Sequence, residues 1–429
     1  MGSIPERFPA TGTDIGVAIT RSVTLHRIGL RLVFDESLDA DRLRRASRLA
    51  LDAEPAVGCS FVTDVPAPYW SRIPDLDASS YFSLVETADT ERALNDFQAE
   101  EVPDTGPQAE VVLLRTPVGD ELGLKISHVL ADGQGAKQYA YLLADIYSRL
   151  GEDPEHRPVS NLVPRPSGTE VWNNLTSEQR RDAKRAKSWS KPTWEIPSRG
   201  TTGQGLTYIA RSVGPDDFLS VKAYGKQRGA TVNDMMLTAV FRACVDAFDP
   251  PEGEPHSLMC TADLRRYLPH PDGLPISNIS ISGSLDIERT KGESFPQTLD
   301  RVRERMGVWA KTCYGAYPSY RADKIATRSY RLTKLLMGTM FRLAGGSGKT
   351  YPFFTNIGVI DDGRLSFGGR TPTSGHMYGP TGAGGSIVPV ISSYRDTLVV
   401  CTGFCELDCD RAMVEGVLDA AIGELPAAG

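Results

Sequence analysis

The 429-residue chain contains no run of about 20 apolar residues, the length a membrane-crossing helix needs. Its opening, Met1-Gly2-Ser3-Ile4-Pro5-Glu6-Arg7, lacks the apolar core of a secretory signal. No membrane span and a cytoplasmic location are the expectations. Cysteine is sparse and odd in number, seven in all, which suits reduced thiols and argues against a disulfide framework. Only Cys401, Cys405 and Cys409 cluster. Their four-residue spacing without a nearby histidine is not a common zinc pattern, so burial beside a strand end is expected of them, and no metal. Positive charge is in deficit, 47 Lys and Arg against 54 Asp and Glu for a formal net charge of -7. A phosphate-backbone binder needs clustered cations, so nucleic acid is excluded as a partner.

Hydrophobic residues (40%) and charged residues (24%, signs interspersed) are in the proportions of a globular protein. The length exceeds the roughly 250–300 residues that one hydrophobic core serves, so two cores are expected. Strand-like Leu25 to Phe34 precedes a helix-like stretch from Asp39 to Asp52. Glu110 to Arg115 and the alternating Leu122 to Ser127 flank the turn residues Pro117-Val118-Gly119-Asp120 and read as a hairpin. Tyr139, Leu143, Ile146 and Leu150 then recur at helical spacing up to Gly151.

Residues 151–205 are rich in Pro, Ser, Gly and charge, with one polar helical piece around Ser177 to Ser188. We place an N-terminal subdomain at 1–165, a linker at 166–205 and a C-terminal subdomain at 206–429. The last part alternates again: a strand Thr207 to Val213, a helix after Pro215, a helix from Asn233 to Phe248, and strands Ser257 to Thr261 and Asn278 to Ile287. A helix through Leu299, Val302, Met306 and Trp309 follows, then one longer helix from Ala322 to Ala344. The end holds a strand Phe353 to Ile360, a hairpin of Ile387 to Ser393 with Thr397 to Phe404, and a closing helix.

The chemistry concentrates in His128-Val129-Leu130-Ala131-Asp132-Gly133. On an alternating strand His128 shares the inward face of Leu124 and Ile126, and a partly buried imidazole stays neutral, as a general base must. Asp132 falls where the next helix begins, and Gly133 permits a close or unusual backbone path. Read alone, His128 is equally a core histidine and Asp132 an N-cap. The run resembles the His-x-x-x-Asp-Gly motif of the superfamily of CoA-dependent acyltransferases and nonribosomal peptide condensation domains. Further resemblances follow in the family's order: Thr231 to Leu237 to its Asn-Asp helix start, Ala262-Asp263-Leu264-Arg265-Arg266 to its Asp-Leu-Arg segment, and Phe354-Thr355-Asn356-Ile357-Gly358 to its Thr-Asn-x-Gly strand.

The resemblance implies an α/β chain of α+β sandwich type, with two chloramphenicol-acetyltransferase-like subdomains in a V and a channel between them. It implies acyl transfer from a CoA or carrier-protein phosphopantetheine thioester to a small alcohol or amine, with no tightly bound cofactor and a monomeric chain. His128 would be the base, Asp132 and Gly133 would shape its loop, and Arg265, with Arg266 as fallback, would hold Asp132. The Gly133 backbone or Asn356 would supply oxyanion donors. The family's condensation members often carry a second histidine where Ser127 stands, which leans towards ester formation. The rivals are amide formation on a carrier-bound substrate, hydrolysis of such a thioester, and a non-catalytic module that recruits a carrier protein. Gly345 to Thr350 imitates the end of a phosphate-binding loop but lacks its first glycine and its strand-to-helix setting. Gly375-His376 with Gly382, Gly384 and Gly385 reads as a mobile segment or a plain surface loop.

Overall fold

Alternation builds the first sheet. Ile28, Leu30 and Leu32 lie beside Ile126, Leu124 and Leu122 in antiparallel register, and all six are buried on one face. Helices Ala40–Ala53 and Gly133–Glu152 cover that face, the first capped by Asp39, whose side chain accepts from the Arg42 N–H. In the structure, a computed structural model, residues 3–427 are described except 22–23, 187–188, 201–204, 272, 327–328, 346–347 and 383–385; for 340–345 only the backbone is described. The hairpin closes as expected from Thr116 to Gly119, where Gly119 has φ +148° and a Cβ would fall 2.2 Å from the Phe34 carbonyl oxygen.

This sheet has five strands in the order Ser374–Tyr378, Arg27–Val33, Gly119–Ser127, Ala109–Thr116, Phe82–Glu86. A six-stranded sheet runs Ser280–Glu288, Pro255–Asp263, Phe353–Ile360, Val390–Tyr394, Thr397–Cys405, Leu206–Val213. Its core is capped by helix Val232–Phe248, which opens on a Thr231/Asp234 capping box and buries Met235, Met236, Leu237, Val240 and Phe241. Cys401, Cys405 and Cys409 are buried, and none of them forms a disulfide with a described residue. Among the described residues no helix is long and apolar enough to cross a membrane.

The two sheets are stitched together late in the chain. Ser374–Tyr378 pairs with Arg27–Val33, so Gly375-His376, read from sequence as a mobile or surface segment, forms instead an edge strand of the first sheet. Gly375 is needed there because a Cβ would meet Leu32 at 2.8 Å. Gly384 and Gly385 lie outside the described residues, as do Gly346 and Ser347 of the false phosphate loop.

The motif helix starts at Gly133, capped by Asp132 as expected. Two further differences from the sequence reading have physical causes. Between the two cores, residues 166–205 carry a second helix, Gly168–Asn174, whose Trp172 stacks on Tyr320, and further on a fully buried Trp194 donating to the Ser257 carbonyl. The single helix expected from Ala322 to Ala344 is two, Ala316–Ala326 and Tyr330–Gly345. The first is pinned by Asp323, which accepts from Gly12 and Thr169, while the second leaves Leu332, Leu335 and Leu336 exposed.

Asp14 anchors the start of the chain. Its buried carboxylate takes both Arg165 Nη atoms (2.6 and 3.0 Å) and Trp70 Nε1 (2.9 Å), and Arg165 also donates to the Leu130 carbonyl. Replacing one partner of such a pair leaves an uncompensated charge in the interior. Asp14→Ala should therefore lower unfolding free energy by about 3–5 kcal/mol in denaturant titration; a loss under about 1 kcal/mol, the level of an exposed pair, would contradict this role.

Candidate active site

His128 is the first residue after strand Gly119–Ser127. A tight turn follows, in which the Leu130 and Ala131 N–H groups both donate to the Ser127 carbonyl, and it swings Asp132 to the head of helix Gly133–Glu152. The turn places the Ala131 carbonyl 2.9 Å from His128 Nδ1. A carbonyl can only accept, and at 2.9 Å it prevails over the Asn278 amide nitrogen at 3.3 Å, which donates instead to the His128 carbonyl, so Nδ1 carries the proton and Nε2 keeps a bare lone pair. Burial pushes the imidazole pKa down, and the Ala131 carbonyl and the Asp132 charge oppose this without overcoming it. The ring is neutral at pH 7 and half-buried, the state and access that a proton acceptor needs.

Asp132 does not touch the imidazole. One carboxylate oxygen caps the helix through Gly135 N–H (2.9 Å) and the other takes Arg265 Nη1 (2.7 Å) and Ile279 N–H (3.0 Å). Burial would push this carboxyl up, but the Arg265 guanidinium and the two N–H groups outweigh it and hold the pKa below the ordinary carboxylate value. Arg265 also reaches Asp263 and the Ser277 carbonyl. Arg266, the fallback, is not the partner.

The structure thus brings together His128, Asp132, Gly133 and Arg265, but no hydrogen bond joins Asn356 to them. Its amide bonds Asn233 (3.3 Å) and accepts from Gly358 N–H (2.9 Å), closing the bulge where strand Phe353–Ile360 shifts register. Asn356, expected as an oxyanion or substrate contact, lies on this bulge. At Gly133 the requirement is room: a Cβ would come within 2.8–2.9 Å of three Ile357 side-chain atoms. The first N–H groups of a helix have no intrahelical acceptor, so those of Gly133 and Gln134 point outward at the turn.

Sequence reasoning missed Asn278, whose Nδ2 donates to the His128 carbonyl (2.7 Å) while its Oδ1 accepts from Ser280. It also missed His26, on whose carbonyl the His128 N–H rests and whose ring centre lies 5.9 Å from that of His128. Burial, then the neighbouring His128, drives the His26 pKa down to about 3. Lys137 was likewise unseen: it crosses from the motif helix to the Ile357 and Val359 carbonyls, and burial lowers its pKa to about 8. None of the three sits in a motif or at a periodic position that singles it out. A cavity of about 880 Å³, lined by Glu54, Gln138, Tyr141 and Ile276 among others, does not include His128.

The fold matches known structures over the whole chain. A trichothecene 15-O-acetyltransferase from Fusarium sporotrichioides superposes with a TM-score of 0.73 at 15% identity, covering 99% of this chain and 96% of that one. The first condensation domain of the calcium-dependent antibiotic synthetase, in complex with a substrate analogue, gives 0.70 at 16%, covering 100% and 98%. The chain has the condensation-domain fold. A starter condensation domain of rhizomide synthetase, in complex with C8-CoA and Leu-SNAC, also matches at 0.67 and 14%, covering 99% and 95%. No protein-family model matches the sequence, and neither does any curated protein.

The close fit at Gly133 is testable within this fold. Gly133→Val must push Ile357 and its strand away from the motif helix, and overpacking of this kind costs about 1–3 kcal/mol. Adding Ile357→Ala should restore more than half of the lost stability in denaturant titration. If the double variant is no more stable than Gly133→Val alone, the contact does not govern the approach of helix and strand.

Proposed function

We propose that the chain is an acyltransferase that moves an acyl group from a CoA or carrier-protein thioester to the hydroxyl or amine of a small acceptor, with His128 as general base. The observation that carries the reading is the tautomer: the Ala131 carbonyl occupies Nδ1 and leaves Nε2 bare on a neutral ring. Nε2 takes the acceptor's proton as its oxygen or nitrogen attacks the thioester carbon. The tetrahedral oxyanion collapses, the C–S bond breaks, and the imidazolium returns the proton to the departing thiolate. Ester or amide and free thiol are the products. The N–H groups at the head of the motif helix are the candidates for the oxyanion, each such donor being worth about 10²–10³ in rate.

Reactants would meet in a channel between the halves 1–165 and 206–429, the two stretches that the Asp132–Arg265 ion pair joins. Ser127, in place of a second histidine, inclines the reading towards a hydroxyl acceptor. The test is thiol release by the purified protein from a panel of acyl-CoA and acyl-carrier thioesters, with alcohols and amines as acceptors. Release should depend on the acceptor and fall at least about 10²-fold in His128→Ala. Release that ignores the acceptor, or persists in that variant, excludes the mechanism.

A further inference from the structure

The contacts around His128 converge on four residues, 276–279. The Ser277 carbonyl accepts from Arg265 Nη2 (2.8 Å) and Asp132 N–H (3.4 Å), Asn278 holds the His128 carbonyl, and Ile279 N–H holds Asp132. These residues belong to no helix or strand; Leu264 N–H ties the Ile279 carbonyl at one end, and towards Ile276 side chains supply the anchors. Arg165 Nε approaches the Ile276 carbonyl from one direction at 3.4 Å. Glu54 provides the other anchor: Oε2 accepts from Ile276 N–H (3.1 Å) and Oε1 from Asn161 Nδ2 (2.9 Å). Asn161 is itself held by its N–H on the Ala53 carbonyl, and Glu54 closes helix Ala40–Ala53 by donating its N–H to Ala50.

We propose that Glu54 is a positioning residue: its ionised carboxylate holds segment 276–279 in place, and through Asn278 and Asp132 it holds His128 in the proton-accepting geometry. The proposal rests on His128 being the base. An ionised carboxylate is an acceptor at both oxygens, whereas a protonated one turns one oxygen into a donor. Both of Glu54's partners are N–H donors, so protonation must weaken one of the two bonds. Burial pushes the Glu54 carboxyl up to about 7, against the pull of Asn161, Ile276 N–H and Arg165. The charged groups facing it are Arg165, Arg42 on its own helix, and Asp145, Glu152 and Arg364 around the cavity it lines. That cavity gives the carboxyl a path to solvent protons. The anchor is therefore present above about 7 and lost as pH falls through it, while the lowered pKa of His128 keeps the base itself neutral there.

The decisive experiment needs no substrate. The imidazole NMR signals of His128, identified by their absence from His128→Ala, are followed from about pH 5.5 to about 8.5 in the intact protein, in Glu54→Gln and in Asn161→Ala. Unfolding midpoints are measured alongside. The expected result is an inflection near pH 7 in the wild-type His128 signals. It should vanish in Glu54→Gln and move to higher pH in Asn161→Ala, which keeps the carboxyl but removes a donor that favours its ionised form. In turnover assays kcat should fall on the acid side with the same midpoint, KM changing less than about twofold, and the Gln variant should lose that limb. A wild-type titration without the inflection, or one that Glu54→Gln leaves unchanged, overturns the proposal. An inflection that depends on Glu54 in a protein that turns over no thioester upholds the coupling and rejects the acyl-transfer reading alone.

Discussion

A buried carboxylate needs compensating partners, and for Asp132 the chief one is a cation. Asp132 heads the motif helix in the first half of the chain, and Arg265, 133 residues later, follows a strand of the second sheet. Neither is tolerable alone in the interior, where an unpaired charge costs several kcal/mol. The pair therefore requires the two halves to meet at the turn that carries His128. Once they do, Ile279 and Ser277 complete the hydrogen bonding of both charges, Asn278 falls against the His128 carbonyl, and the Ala131 carbonyl selects the Nδ1–H tautomer. His128 owes its geometry to an ion pair to which it is not hydrogen-bonded.

Close approach depends on small residues in the first helical turn. Gly133 makes room for Ile357, and a Cβ at Gly135 would stand 3.0 Å from the Ser277 carbonyl oxygen. Lys137, one turn further, reaches over to the bulged strand and takes up two carbonyls on either side of Gly358, whose φ is +80°. The strand Ser374–Tyr378, lent by the late part of the chain to the first sheet, adds a second tie between the halves.

Where patterning is local, the sequence was legible. Alternation at Leu122 to Ser127, the 3.6 periodicity of Tyr139 to Leu150 and the cap at Asp132 are each written in a few adjacent residues, and the motif resemblance led to Arg265. What could not be read is set by contacts across long separations. Asn278 sits in an irregular segment 150 residues from His128, and Glu54 lies 222 residues from the amide it anchors. Asn356, picked out by its motif neighbours, makes its hydrogen bonds with the distant Asn233 and with Gly358 N–H at the bulge, contacts the motif does not reveal. The helix expected from Ala322 to Ala344 breaks in two because Asp323 binds its first part to distant backbone, a constraint that periodicity does not register.

The central claim is that Asp132 and Arg265 act as one unit on which the site depends. A double-mutant cycle of Asp132→Ala and Arg265→Ala, read as unfolding free energy, tests it directly. Each single change should cost about 3–5 kcal/mol by stranding its partner, and the double variant should cost at least about 2 kcal/mol less than their sum. Costs that add to within about 0.5 kcal/mol would show two independent residues, and the site would have to be held by something else.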